Sequence, residues 1–244
     1  MYLLNWYAFL VGAGASLAIW RVIQCQKKQD DFHWAMAGLW LLFGAWLGAR
    51  LVFFFWQPAA LVDFGWRALG LREGGMVWPG AVLGAWITIF PLALIKKIMW
   101  LEIADQLLVM LPPLAMMSWL AGWISGSGFG PVMPAAWWVP MTMDDSFQLL
   151  PRFPLQWIAA ASLFLIYYIL ESRFYTTRVG GKAALIWFIF SMHTLLFSFL
   201  RADLRPEWLG LPWDIWFAVI CGLWAIILGW LVFVRKTGAT LKTT

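Results

Sequence analysis

The chain has 244 residues, of which 63% are hydrophobic and only 12% charged, and its mean hydropathy is +0.78. A soluble domain carries about 45–50% apolar and about 25% charged residues, so a water-soluble fold is excluded. At roughly 20 apolar residues per crossing there is room for about seven helices, short connections and no separate catalytic domain. The formal charge of +5 is therefore read loop by loop as a guide to orientation, and not as a nucleic-acid footprint.

Apolar stretches occupy residues 4–24, 34–56, 76–95, 103–124, 155–170, 183–200 and 213–234. They are continuous and too long for the alternating strands of a membrane barrel, so the predicted fold is all-α and polytopic, with about seven transmembrane helices. The third and fifth stretches are short. Pro91 in the third and the Pro112/Pro113 pair in the fourth predict kinks, because proline removes a backbone donor. The start of the chain has no basic segment before its apolar run and no small-residue cleavage site after it, which predicts an uncleaved first helix. The chain reads as a single domain over residues 1–244, with a long loop at about 125–154.

Lysine predicts the orientation. Lys27 and Lys28 follow the first stretch, Lys96 and Lys97 the third, Lys182 the fifth, and Lys236 and Lys242 the seventh. By the positive-inside rule these loops are cytoplasmic, which places the N-terminus outside and the C-terminus inside. The opposite loops carry only arginine, at Arg67, Arg72, Arg152, Arg201 and Arg205. A planar, multidentate donor of that kind suits lipid phosphate. The 21 tryptophans include Trp6, Trp34, Trp56, Trp100 and Trp213 near predicted helix ends, the pattern of an interfacial aromatic belt.

Few polar residues remain to do chemistry. Cys25, Cys221, His33 and His193 are dispersed and form neither a disulfide pattern nor a standard metal-ligand set. The run Gly126-Ser127-Gly128-Phe129-Gly130 lacks the strand and the Lys-Ser/Thr of a phosphate loop, and helix packing is the expected use of Gly122, Gly126 and Gly128. Gly44, Gly48 and Ala49 in the second stretch and Gly80 and Gly84 in the third predict a close helix pair. Arg50, two turns inside the second stretch, either snorkels to the interface or meets a lipid phosphate within the bundle. Asp105 reads as an acid near a helix N-terminus, and His193 as a hydrogen-bonded core histidine or a base. Ser118, Ser125 and Ser127 have no nearby histidine to activate them.

The succession of motifs resembles the prolipoprotein diacylglyceryl transferase family. Asn5-Trp6-Tyr7 is similar to its His-Trp-Tyr-Gly, Leu47-Gly48-Ala49-Arg50 to Leu-Gly-Gly-Arg, and Gly74-Gly75-Met76-Val77-Trp78-Pro79-Gly80 to Gly-Gly-Met-Ser-Phe-His-Gly. Asp105 matches an acidic residue ahead of the fourth helix. Leu150-Pro151-Arg152-Phe153-Pro154-Leu155-Gln156 resembles Leu-Pro-Arg-His-Pro-Ser-Gln, and Phe199-Leu200-Arg201-Ala202-Asp203 resembles Phe-Phe-Arg-x-x-Asp. The resemblance implies transfer of the diacylglyceryl group of phosphatidylglycerol to a lipobox cysteine at the outer face of the bacterial inner membrane. It implies no metal or cofactor. It also implies that Tyr7, Arg50 and Arg201 bind substrate, with the signal peptide of a prolipoprotein as the second partner; Arg152 is expected to join Arg50 and Arg201 in holding the lipid phosphate.

The departures are concentrated at the expected site. The family's histidine position is Pro79, its signature arginine is Trp123, a second histidine position is Phe153, and Tyr-Glu after Gln156 has become Trp157-Ile158. Two readings follow. In one the enzyme is altered, with Asp144, Asp145 or Asp203 as base. In the other the chain is a non-catalytic relative that binds phospholipid or a membrane partner. A transporter would need charged residues along a midplane path, and beyond Arg50 and His193 the stretches offer almost none.

Overall fold

The computed structural model describes residues 6–25, 31–59, 62, 65, 76–144, 146, 148–173 and 178–240. Helices α1 (Trp6–Gln24), α2 (Asp31–Trp56), α3 (Trp78–Lys96), α4 (Trp100–Leu107), α5 (Leu111–Ser125), α6 (Leu155–Arg173), α7 (Gly181–Leu200) and α8 (Trp213–Thr240) follow one another along the chain. A 3-10 turn, Leu108–Met110, joins α4 and α5 into one crossing. Among the described residues, six crossings are long and apolar enough to span a bilayer, and α6 adds a shorter apolar run, Leu155–Leu170. The protein is an all-α, multi-pass membrane protein.

Successive crossings alternate in direction, as contacts at their ends show. Lys182 Nζ lies 3.8 Å from Cys25 Sγ, and Lys96 sits over the Trp34 ring at 5.1 Å. At the other end Trp56 meets Trp213 with ring centroids 5.8 Å apart. One end of the bundle, the lysine face, thus gathers Lys96 and Lys182. The other, the arginine face, gathers Arg152, Arg201 and Arg205. Arg67 and Arg72 lie outside the described residues, as do Asn5, Gly74, Gly75 and Asp145.

The small residues of α2 and α3 do what their spacing predicts. A Cβ built on Gly48 would collide with the Gly80 carbonyl, and one on Gly84 with the Gly44 carbonyl, so the two backbones touch. In lipid, where hydrophobic driving force between helices is weak, such close packing is what holds a pair together. The two proline sites differ. Pro112 and Pro113 open α5 directly after the 3-10 turn, where a missing N–H costs nothing. Pro91 instead sits within α3, which continues unbroken to Lys96.

The connection from α5 to α6 is folded back on itself by two short strands, β1 (Met141–Met143) and β2 (Leu149–Pro151), paired antiparallel with Thr142 opposite Leu150. A second ribbon, β3 (Glu207–Trp208) and β4 (Leu211–Pro212), links α7 to α8. Its turn places Leu209 at φ 52° and Gly210 at φ 74°, the left-handed pair that a two-residue hairpin turn demands. Gly126 and Gly128 likewise have φ of 71° and 68°. Their use is to turn the chain out of α5, which corrects the helix-packing expectation. Gly126 is the C-cap of α5 and donates its N–H to Gly122 O.

Candidate functional site

A cavity of about 760 Å³ opens among the helices. Its walls come from Tyr7 and Val11 of α1, Ala45 and Ala49 of α2, Pro79, Val82 and Trp86 of α3, Leu114 and Trp119 of α5, and Phe190, Thr194 and Ser198 of α7. At the arginine face it is bounded by Ser127, Gly128, Arg201, Arg205, Trp213 and Asp214. Nearly all of the wall is apolar, and the charged groups are gathered at one end.

That end is a network of two guanidinium groups and two carboxylates. Arg201 donates from Nε to Asp203 Oδ1 at 2.9 Å and from Nη2 to Oδ2 at 2.5 Å, the bidentate fork that fits a carboxylate best. Its Nη1 reaches Asp214 Oδ2 at 3.4 Å. Arg205 Nη1 donates to the same Asp214 oxygen at 2.6 Å, and Ser198 Oγ donates to it at 2.8 Å. Arg205 Nη2 also caps the Arg201 carbonyl at 3.3 Å. Burial pushes the Asp203 carboxyl up, but its hydrogen bond with Arg201, the charges of Arg201 and Arg205, and the Gly128 N–H outweigh burial and hold it below the usual range.

The short loop after α5 is stapled onto this network from both sides. Gly128 N–H donates to Asp203 Oδ2 at 3.1 Å, and Ala202 N–H donates to Phe129 O at 2.8 Å. From α6, Gln156 Nε2 donates to Ser127 O at 3.1 Å. Arg152 stacks on the Phe129 ring at 4.2 Å, pairs with Asp144 at 3.0 Å and reaches Gly130 O at 3.4 Å. The N–H groups of Gln148 and Ser146, together with Arg152, hold the Asp144 carboxyl below its ordinary value. Arg152 therefore pins the loop and does not line the cavity.

Of the four residues expected to bind substrate, Tyr7 and Arg201 line the cavity. Arg50 is 1% exposed and stands within electrostatic reach of Tyr7, so it is held inside the bundle and does not snorkel to water. Pro79 is buried in the cavity wall. Trp123 lies edge-on against Trp157 at 5.3 Å, away from the cavity lining, and Phe153 packs beside Leu155, Ala159 and Phe197. His193 is stacked on Phe197 at 4.3 Å, with Nε2 3.0 Å from Ser162 Oγ and 3.2 Å from Ala159 O. It is a core histidine bridging α6 and α7. Asp105 accepts from Gly180 N–H and from Ala183 N–H at 2.7 Å, and so stabilises the N-terminus of α7 and not that of its own helix.

Sequence reasoning named Arg205 only as one of five arginines on the same side and did not single out Asp214 or Ser198. The available signals were an arginine four residues after Arg201 and an acid in the first turn of the last helix, which becomes informative only when the two are seen to meet. Trp56 and Trp213, expected in an interfacial belt, also border the cavity.

Comparison with known proteins supplies the lineage of this arrangement. The chain is 26% identical, over 249 aligned residues, to the phosphatidylglycerol–prolipoprotein diacylglyceryl transferase of Zymomonas mobilis subsp. mobilis, a match covering 92% of this chain and 83% of that relative. The profile of one family, prolipoprotein diacylglyceryl transferase, matches residues 2–235. With a match across nearly its whole length, this chain belongs to the prolipoprotein diacylglyceryl transferase family.

Proposed function

We propose that the protein binds phosphatidylglycerol in this cavity and transfers its diacylglyceryl group to the cysteine thiol of a prolipoprotein, at the outer face of a bacterial inner membrane. The observation that carries the proposal is the polarity of the cavity: an apolar slot between membrane helices, ending in Arg201 and Arg205. A phospholipid has the same division, with apolar chains and one phosphate. Arg205 has five N–H donors; its hydrogen bonds to Asp214 and to the Arg201 carbonyl use two, and its Nε faces Asp203 Oδ1 at 3.7 Å. A lipid phosphate added there takes the remaining Nη N–H groups.

In the transfer, the thiol sulfur forms a bond to the glyceryl carbon that carried the phosphate. The carbon–oxygen bond to phosphate breaks, and glycerol phosphate departs with the electron pair. Guanidinium groups at the mouth stabilise the charge that develops on it. The thiol proton passes to the departing phosphate, because the two candidate carboxylates among the described residues, Asp144 and Asp203, are committed to arginines. Asp203 is held ionised by Arg201 and Arg205 and is a weak base, and Asp144 is engaged by Arg152 outside the cavity lining.

A second reading is favoured by one observation. Pro79, the position where the family's motif carries histidine, occupies the cavity wall, and no histidine lines the cavity among the described residues. A protein that binds the lipid without turning it over fits that wall. An assay with purified protein, phosphatidylglycerol vesicles and a lipobox peptide separates the two. A thioether-linked diacylglyceryl product that is lost in Arg201→Ala supports transfer. Bound lipid with no product supports recognition alone, and neither binding nor product overturns both.

A further inference from the structure

The cavity is deep, and its inner end is bordered by a fixture that no chemistry of the headgroup requires. Along α3 it extends from Trp78 to Ile89, eleven residues or about 16 Å of helix, and along α7 from Arg201 back to Trp187, about 21 Å. One leaflet of a bilayer has a hydrocarbon depth of about 15 Å, half of the whole core. A slot as deep as a leaflet, charged at one end and apolar along its length, has the dimensions of a fatty acyl chain entering tail first.

Its floor is rigid. Trp86 is 9% exposed and is boxed edge-on by Trp187 at 5.4 Å, Trp224 at 5.9 Å and Trp100 at 6.3 Å, rings carried by three other helices. A tryptophan held by three aromatic neighbours in their preferred geometry cannot swing aside without losing several favourable contacts. Ile89 completes the floor from α3. Leu108 and Met110 cross it from the 3-10 turn that precedes the Pro112/Pro113 pair. Apart from the indole N–H groups of Trp86 and Trp187, which have no hydrogen-bond partner among the described residues, the floor presents only hydrocarbon and the Met110 thioether, as suits an alkyl chain end.

We infer that Trp86, backed by Ile89, Leu108 and Met110, sets the longest acyl chain that the protein accepts. The inference rests on the reading that the cavity takes a phospholipid. Chains that fit the slot are held along their length, and longer ones meet the tryptophan box and must fold back or withdraw the phosphate from Arg201 and Arg205.

The test is competitive binding followed by native mass spectrometry. The full-length protein is incubated with an equimolar series of phosphatidylglycerols whose saturated chains run from lauroyl to arachidoyl. The wild type should show a sharp drop in occupancy beyond one chain length. Trp86→Ala should move that limit to longer chains, and Trp86→Phe should leave it nearly in place. Ala85→Leu fills open space on the same wall at little risk to folding, and it should move the limit to shorter chains. Occupancy profiles that coincide for the wild type, Trp86→Ala and Ala85→Leu overturn the inference while leaving lipid binding intact. If Trp86→Ala does not fold, an unmoved limit in Ala85→Leu is sufficient to overturn it. Absence of binding at every length removes the reading beneath it as well.

Discussion

Arg205→Ala and Asp214→Asn should change lipid affinity in opposite directions. The network at the cavity mouth holds two arginines and two aspartates and is formally neutral, and Asp214 occupies, through one oxygen, donors from Arg205, Arg201 and Ser198. Asp214 thus competes with a lipid phosphate for the same guanidinium groups. Removing Arg205 deletes at least one charge-assisted hydrogen bond to the phosphate, worth about 1.5–3 kcal/mol, and leaves the mouth net negative. At 1.4 kcal/mol per tenfold, phosphatidylglycerol should bind roughly 10- to 150-fold more weakly. Asp214→Asn keeps the shape and one acceptor for Ser198 but removes the competing charge, so binding should tighten by up to about tenfold, the lower end of the same scale. Both are measured by titrating headgroup-labelled phosphatidylglycerol into detergent-solubilised protein, with thermal unfolding as the control for folding. Equal affinities in the two variants, or weaker binding in a folded Asp214→Asn, would refute the idea that the carboxylate and the lipid share these donors.

Gly48→Leu should destabilise the α2–α3 pair by about 1–3 kcal/mol, the cost of overpacking, because its side chain must enter space held by Gly80 and Gly84; a lowered unfolding midpoint in detergent checks it. His193→Phe should leave lipid binding unchanged, since His193 meets Ser162 and Ala159 and does not line the cavity. For Asp203 the folded carboxyl is held below the usual 3.8, so its stabilising contribution is fully present above that value and is lost as pH falls through the lower folded value. The difference in unfolding midpoint between the wild type and Asp203→Asn should therefore be constant from neutral pH down to about 4 and shrink below it.

Patterns that depend on near neighbours along the chain are legible in the amino-acid sequence alone. Continuous apolar runs reveal the crossings, Gly44, Gly48, Gly80 and Gly84 reveal the close pair, and Pro112/Pro113 mark the break between α4 and α5. Arg201, picked out by its motif, lines the cavity. Roles set by partners far away in sequence are not. Arg152 has the same chemistry as Arg201, yet Asp144 and Phe129 hold it against the loop. Asp105 lies in the last turn of its own short helix and stabilises another, whose N-cap Gly180 lies 75 residues later. Gly126 and Gly128 share the small-residue signature of helix packing, and only their positive φ assigns them to a turn.

The same distinction bears on Pro79. Proline near the N-terminus of α3 costs the helix nothing, so backbone stability does not decide between proline and histidine at this position, whereas the chemistry of the cavity does. Without an imidazole, and with Asp144 and Asp203 held by arginines, the thiol proton passes to the departing phosphate, whose second pKa is about 6 against about 8.5 for a free thiol. That gap of about 2.5 units opposes proton transfer by roughly 3.4 kcal/mol, and the phosphate becomes a dianion only as its bond to carbon breaks. Pro79→His places a base in the cavity wall before any bond breaks, and positioned general bases contribute about 10²- to 10⁴-fold. The variant should therefore raise the rate of diacylglyceryl transfer in the lipobox assay with phosphatidylglycerol affinity little changed. Trp123 and Trp157 pack on one another outside the cavity lining and do not obstruct the added imidazole. A folded, lipid-binding Pro79→His with no gain in transfer would mean that the wall is not where the thiol is activated, and that the cavity serves binding alone.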